Sequence, residues 1–78
     1  MTAAAREVDA RGLICPLPVL RARKALISMK EGAVLQVLTD DPMALIDLPH
    51  FCAGAGHSHL GATESGAWQV HLIRRGPG

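Results

Sequence analysis

The chain opens on a period of two. In Arg6-Glu7-Val8-Asp9-Ala10, Val8 and Ala10 fall on one side and Glu7 and Asp9 on the other, as in a short strand. After a break at Arg11-Gly12 the period lengthens. Val19, Ala22, Leu26 and Met29 recur every three or four residues, an apolar helical stripe that Leu20 and Ile27 widen, with Arg21, Lys24 and Ser28 opposite. Pro16 suits the first helical position, Pro18 is tolerated within the first turn, and Gly32 is placed to cap the end. Residues 33–39 form a near-continuous apolar run containing Val34 and Val37, a largely buried strand. Asp40-Asp41-Pro42 is again a helix start, an acidic cap followed by proline. Residues 43–48 then read as helix interrupted at Pro49, with a second piece through His50, Phe51 and Cys52 toward Gly54 or Gly56. Residues 59–64 suggest a weak strand, Ser65-Gly66 a hairpin turn, and residues 67–74 a clear strand with Trp68, Val70 and Leu72 on one face and His71 on the other.

The order is therefore β-α-β-α-β-β. It predicts an α/β (α+β) two-layer sandwich in which two helices cover one face of a four-stranded mixed sheet. Seventy-eight residues make a single domain, 1–78, with an ordered core over about 6–75 and frayed ends at 1–5 and 76–78. Only 3% of the residues are aromatic against 49% hydrophobic, so the core must be aliphatic and thin. Such a core leaves no room for a deep enclosed active site, and chemistry should sit at an element end or a loop.

A formal net charge of +1 argues against a nucleic-acid footprint, and with Phe51 and Trp68 as the only stacking aromatics direct RNA binding is disfavoured. Arg6 and Glu7 follow Met1 too closely to leave an apolar signal region, and no run approaches transmembrane length. The reading is a cytoplasmic chain with no membrane partner, whose two cysteines are free thiols in a reducing compartment.

Cys15 stands directly before Pro16, at the start of the first helix, where Ser, Thr, Asp or Asn would be the ordinary caps. Unsatisfied N–H groups and the helix dipole favour negative charge there, and a thiolate is such a charge. Between residues 11 and 30 lie five basic residues (Arg11, Arg21, Arg23, Lys24, Lys30) and no acidic one. Arg11, four residues before the thiol, is expected to reach it, with Arg21 and Lys24 acting more weakly, so that the Cys15 pKa falls below its ordinary value. The prolines flanking Leu17 stiffen the base on which the sulfur is presented. The competing account is a small apolar cap residue beside a solvated basic face.

The run Asp9-Ala10-Arg11-Gly12-Leu13-Ile14-Cys15-Pro16-Leu17-Pro18 resembles the signature of the TusA/SirA-like (also YedF-like) sulfur carriers, whose hallmark is Cys-Pro-x-Pro. The amphipathic helix that follows, Asp40-Asp41-Pro42 and Pro49-His50-Phe51-Cys52 also match, so the likeness covers nearly the whole chain. The resemblance implies a βαβαββ sandwich and a persulfide carried on Cys15, with no cofactor. It also implies a cysteine desulfurase or rhodanese-like donor and an acceptor protein with a reactive cysteine. The pathways served by such carriers are tRNA thiolation, molybdenum-cofactor maturation and sulfur oxidation. On this reading Arg11, Gly12, Pro16 and Pro18 support and present the thiolate. Leu13, Ile14 and Leu17 form an apolar docking lip, and Arg21 and Lys24 steer an acidic partner surface.

Three other candidates weigh less. Cys52, beside Phe51 on an apolar segment, reads as a buried thiol rather than a resolving partner for Cys15; a thiol–disulfide function would need the two to be close in space. His50, Cys52, His57 and His59 lack paired zinc-ligand spacings, so no metal is expected. The Gly76-Pro77-Gly78 terminus does not supply the Gly-Gly end of thiocarboxylate carriers. A regulatory, protein-binding module remains the alternative in which Cys15 is dispensable.

Overall fold

The computed structural model describes residues 4–77. Six elements follow in order: β1 (Arg6–Asp9), α1 (Leu17–Ile27), β2 (Val34–Thr39), α2 (Ala44–Ala55), β3 (Ser58–Ser65) and β4 (Trp68–Arg74). The sheet order is β1-β2-β4-β3, with β1 parallel to β2 and the other neighbours antiparallel. The expected mixed α+β sandwich is the fold observed.

Side-chain alternation fixes which face carries the helices. Leu35, Val37 and Thr39 of β2 and His71 and Ile73 of β4 are fully buried beneath the helices, with Gln69 nearly so. Ala22, Ala25 and Leu26 of α1 and Ala44, Leu48 and Cys52 of α2 close over them. Small residues dominate the helix side, which lets both helices lie close to the sheet. The buried polar pair on this face satisfies itself, the Thr39 hydroxyl donating to Gln69 Oε1 at 2.8 Å.

Several sequence expectations are corrected here. The inward face of β4 carries Gln69, His71 and Ile73, whereas Trp68, Val70 and Leu72 lie half-buried on the side away from the helices. A hydrophobic alternation cannot tell the two sides apart when both bear apolar residues. Leu20 and Ile27 do not widen the buried stripe of α1; they are 50% and 65% exposed. The helix ends at Ile27, so Gly32 is not its cap but shapes the next turn, with φ +86° and its N–H bonded to Arg75 O. Pro49 does not interrupt α2, which runs unbroken to a left-handed cap at Gly56. Proline that early deletes one intrahelical bond, and burial of Leu48 and Cys52 holds the rest of the helix together.

The β3–β4 hairpin turns at Gly66, whose φ of +65° is what a tight two-residue connection demands. Of the termini read as frayed, residues 1–3 and 78 lie outside the described residues. Ala5 donates to Val34 O at 2.8 Å and Gly76 to His57 Nδ1 at 2.9 Å, so both are tied to the fold.

Candidate functional site at Cys15

Because β1 and β2 are parallel neighbours, their C-terminal ends lie side by side, with Asp9 opposite Leu38 and Ala10 N–H donating to Leu38 O at 2.8 Å. The loops leaving these two ends are therefore adjacent, and each runs into the start of a helix. Residues 10–16 lead to α1 and residues 40–43 to α2. Where the loops meet, the second holds the first. Gly12, at φ +82°, donates its N–H to both carboxylate oxygens of Asp40, at 3.0 and 3.0 Å. Cys15 donates its N–H to Asp41 Oδ2 at 2.8 Å, while Asp41 Oδ1 accepts the N–H of Met43 at 3.1 Å.

Cys15 is exposed, one residue before the N-cap of α1, Pro16, to which it is joined by a cis peptide bond. Cys15 lines a cleft of about 240 Å³ together with Pro16, Val19, Asp47, His50 and Phe51. An apolar collar stands nearby on both helix starts: Ile14 at 71% and Leu17 at 43% exposure before and within α1, Met43 and Ile46 at 46% and 64% beside and within α2. Leu13, by contrast, turns inward against the core. Arg21 and Lys24 do not line the thiol cleft. They line a wider groove of about 520 Å³ between α1 and β1, together with Arg6, Val8, Asp9 and Ala25.

The electrostatics differ most from the sequence reading. The Asp47 carboxylate shares the cleft with the Cys15 thiol, and hydrogen bonding to that carboxylate, loss of solvation, and the charges of Asp47 and Asp41 push the thiol pKa up, not down. Arg11 does not reach the sulfur. Its guanidinium makes a two-pronged pair with Asp9 (2.9 and 2.8 Å) and lies over the Trp68 ring, 4.8 Å from its centre. This pairing holds the Asp9 carboxyl down to about 2. The first turn of α1 is also poor in donors, because Pro18 has none and the Leu17 N–H is bonded to Ile14 O at 2.9 Å. A helix start built on prolines loses much of its power to hold an anion.

Asp40, Asp41, Asp47, His50 and Phe51 are the site residues that the sequence reading missed. Asp40-Asp41-Pro42 was legible as a cap for α2 and as part of the family match, but the N-cap is Met43, with no side-chain cap bond; Asp41 instead turns the chain into the helix, its carbonyl accepting the Ala44 N–H at 2.9 Å. The run's second duty toward residues 12 and 15 follows from parallel β1–β2 pairing. Cys52 is 1% exposed, and burial raises its pKa to about 11. The histidines do not converge with it: His57 accepts from Gly76, and His59 Nε2 meets His71 Nδ1 at 2.9 Å. Among the described residues no three metal-ligating side chains come together.

The family description "Sulfurtransferase TusA" matches residues 6–75. The chain belongs to the TusA family. A sulfur carrier protein TusA from Allochromatium vinosum is 40% identical over 70 residues, covering 90% of this chain and 92% of that protein. A putative sulfur carrier protein of Neisseria meningitidis serogroup A is 51% identical over 57 residues, covering 73% of this chain and 77% of its own. The crystal structure of a SirA-like protein from Desulfitobacterium hafniense superposes with a TM-score of 0.80 at 30% identity, over 91% of this chain and 97% of that one. Membership of the TusA family accords with an exposed thiol at the meeting of two helix starts.

Proposed function

We propose that this TusA-family chain carries sulfur as a persulfide on Cys15, taking it from a donor protein's persulfide and passing it to an acceptor cysteine. The observation that carries the reading is the presentation of Cys15. It is exposed, its backbone is held by Asp41, and exposed apolar side chains stand on the two helix starts that meet there, Ile14 and Leu17 on one and Met43 and Ile46 on the other. Solvent-facing apolar residues on both helix starts suit docking of a partner whose own cysteine must approach Cys15. A cysteine desulfurase or rhodanese-like protein is the proposed donor. The acceptor belongs to a cytoplasmic sulfur-transfer pathway: tRNA thiolation, molybdenum-cofactor maturation or sulfur oxidation. Gly12, Pro16 and Pro18 present the thiol, and Arg21 and Lys24 attract an acidic patch on a partner from the side of α1. No helix among the described residues is long and apolar enough to cross a membrane.

The test is to incubate the chain with a cysteine desulfurase and cysteine and to record the intact mass. The expected product gains one sulfur atom, and the gain is abolished in Cys15→Ser. A gain that survives this substitution would exclude Cys15 as the carrier atom. A thiol–disulfide role with Cys52 is disfavoured because Cys52 is enclosed in the core while Cys15 faces solvent.

A further inference from the structure

A carrier must release its cargo as readily as it takes it, and the surroundings of Cys15 bear on that balance. The cleft brings a nucleophile and a carboxylate together, Cys15 from the start of α1 and Asp47 from the first turn of α2. The Asp47 carboxylate lines the same cleft as the empty thiol, placed to accept a hydrogen bond from its S–H, and Asp41 adds a second negative charge, its Oδ2 on the Cys15 N–H. The remaining lining is Pro16, Val19, His50 and Phe51, and the guanidinium nearest in sequence, that of Arg11, is engaged by Asp9 and Trp68.

These groups treat the two states of the carrier differently. An empty Cys15 is a neutral thiol with a proton to donate, and Asp47 is a good acceptor for it. A loaded Cys15 ends in a hydropersulfide, which is a stronger acid than the parent thiol. At neutral pH it is an anion with no proton to give, placed beside one carboxylate and near another. The first state gains a charge-assisted hydrogen bond; the second suffers like-charge repulsion in a partly desolvated cleft.

We infer that Asp47 sets the direction of sulfur flow: it stabilises the empty carrier over the loaded one, so that Cys15 holds sulfur weakly and yields it to an acceptor thiol. The transfer is Cys15–S–S⁻ + R–SH → Cys15–SH + R–S–S⁻. The bond between Cys15 Sγ and the terminal sulfur breaks, and a bond between that sulfur and the acceptor sulfur forms. The acceptor's proton ends on Cys15 Sγ, where Asp47 receives its hydrogen bond. No electron acceptor is needed, because the terminal sulfur moves without net oxidation. The inference rests on the persulfide reading above and adds to it the residue that governs release.

The test equilibrates the full chain with mixtures of glutathione persulfide and glutathione and reads the loaded fraction by intact mass. In parallel, the rate of Cys15 alkylation by iodoacetamide is followed against pH. Asp47→Asn keeps the shape and removes the charge; Asp47→Glu keeps the charge. For Asp47→Asn the persulfide-to-glutathione ratio needed for half-loading should fall roughly tenfold, and alkylation at neutral pH should rise by a similar factor. Asp47→Glu should return both toward the parent values. A purely structural role for Asp47 would shift neither in this paired way. Half-loading that is unchanged or moves the other way in Asp47→Asn, with the parent chain loading normally on Cys15, would overturn this inference alone. A parent chain that takes no sulfur on Cys15 at any ratio would overturn the carrier reading, and this inference with it.

Discussion

Asp41 holds Cys15 by the backbone: its Oδ2 accepts the Cys15 N–H at 2.8 Å while its Oδ1 accepts the N–H of Met43 at 3.1 Å. One carboxylate thus ties the turn that leads into α2 to the loop that leads into α1. Asp41→Ala should leave both donors to solvent and destabilise the chain by about 1–3 kcal/mol, measured by urea unfolding. Sulfur acceptance from a desulfurase should fall more than stability alone explains, because the folded fraction stays high while the loop carrying Cys15 loosens. Asp41→Asn keeps one acceptor and should lie between the two.

Cys52 offers a sharp contrast to Cys15. It is enclosed beneath α2, and its thiol is held protonated by burial. Cys52→Ser puts a hydroxyl where an apolar thiol sat and should cost about 1–3 kcal/mol in stability. Sulfur loading of the folded protein should be unchanged. Loss of loading in a Cys52→Ser sample shown to be folded by circular dichroism would revive a two-cysteine mechanism.

How far the sequence spoke depended on whether a feature is local. The strands, the first helix and the place of Cys15 at that helix's start were legible because periodicity, prolines and the Cys-Pro-x-Pro run are local signals. Partners were not. Arg11 is four residues from Cys15, yet the turn at Arg11-Gly12 carries it back toward Asp9, and Trp68 from a distant strand supplies the ring it lies against. Asp47 is 32 positions from Cys15 and meets it only because two parallel strands end together. His71 looked outward because Trp68, Val70 and Leu72 looked like a core stripe. The helices chose the other face, where small residues on α1 and α2 allow close packing.

Arg11 is consequently expected to matter for the fold's edge and not for the thiol. Arg11→Ala removes an exposed ion pair with Asp9 and the stacking on Trp68, and the urea midpoint should move only slightly because both contacts are open to solvent. The emission of Trp68, the only tryptophan, should change as its cover is lost. The pH midpoint of Cys15 alkylation should not move. A rise in that midpoint for Arg11→Ala would mean that the guanidinium does support a thiolate after all.

His71 gives the fold its dependence on pH. The ring is fully buried, its Nδ1 shares one hydrogen with His59 Nε2 at 2.9 Å, and Nε2 is without a partner among the described residues. Burial, and then the neighbouring His59, lower its pKa from 6.5 to about 4. His59 is lowered in the same direction by burial. Between pH 6.5 and 4 the unfolded chain binds protons that the folded one refuses, so stability rises with pH across this window and is lost on acidification. For His71 the whole effect is at most about 3 kcal/mol. The Asp9 carboxyl, lowered by Arg11, acts in a separate range: its contribution is present above its unfolded value and is lost only as pH falls toward about 2. Urea midpoints taken from pH 7 to pH 4.5 should therefore fall steadily. His71→Leu removes the buried ring nitrogens and should flatten that slope while leaving stability at pH 7 unchanged or higher, since an unpartnered buried polar atom is removed with it. A slope that stays as steep in His71→Leu would assign the acid sensitivity to another group.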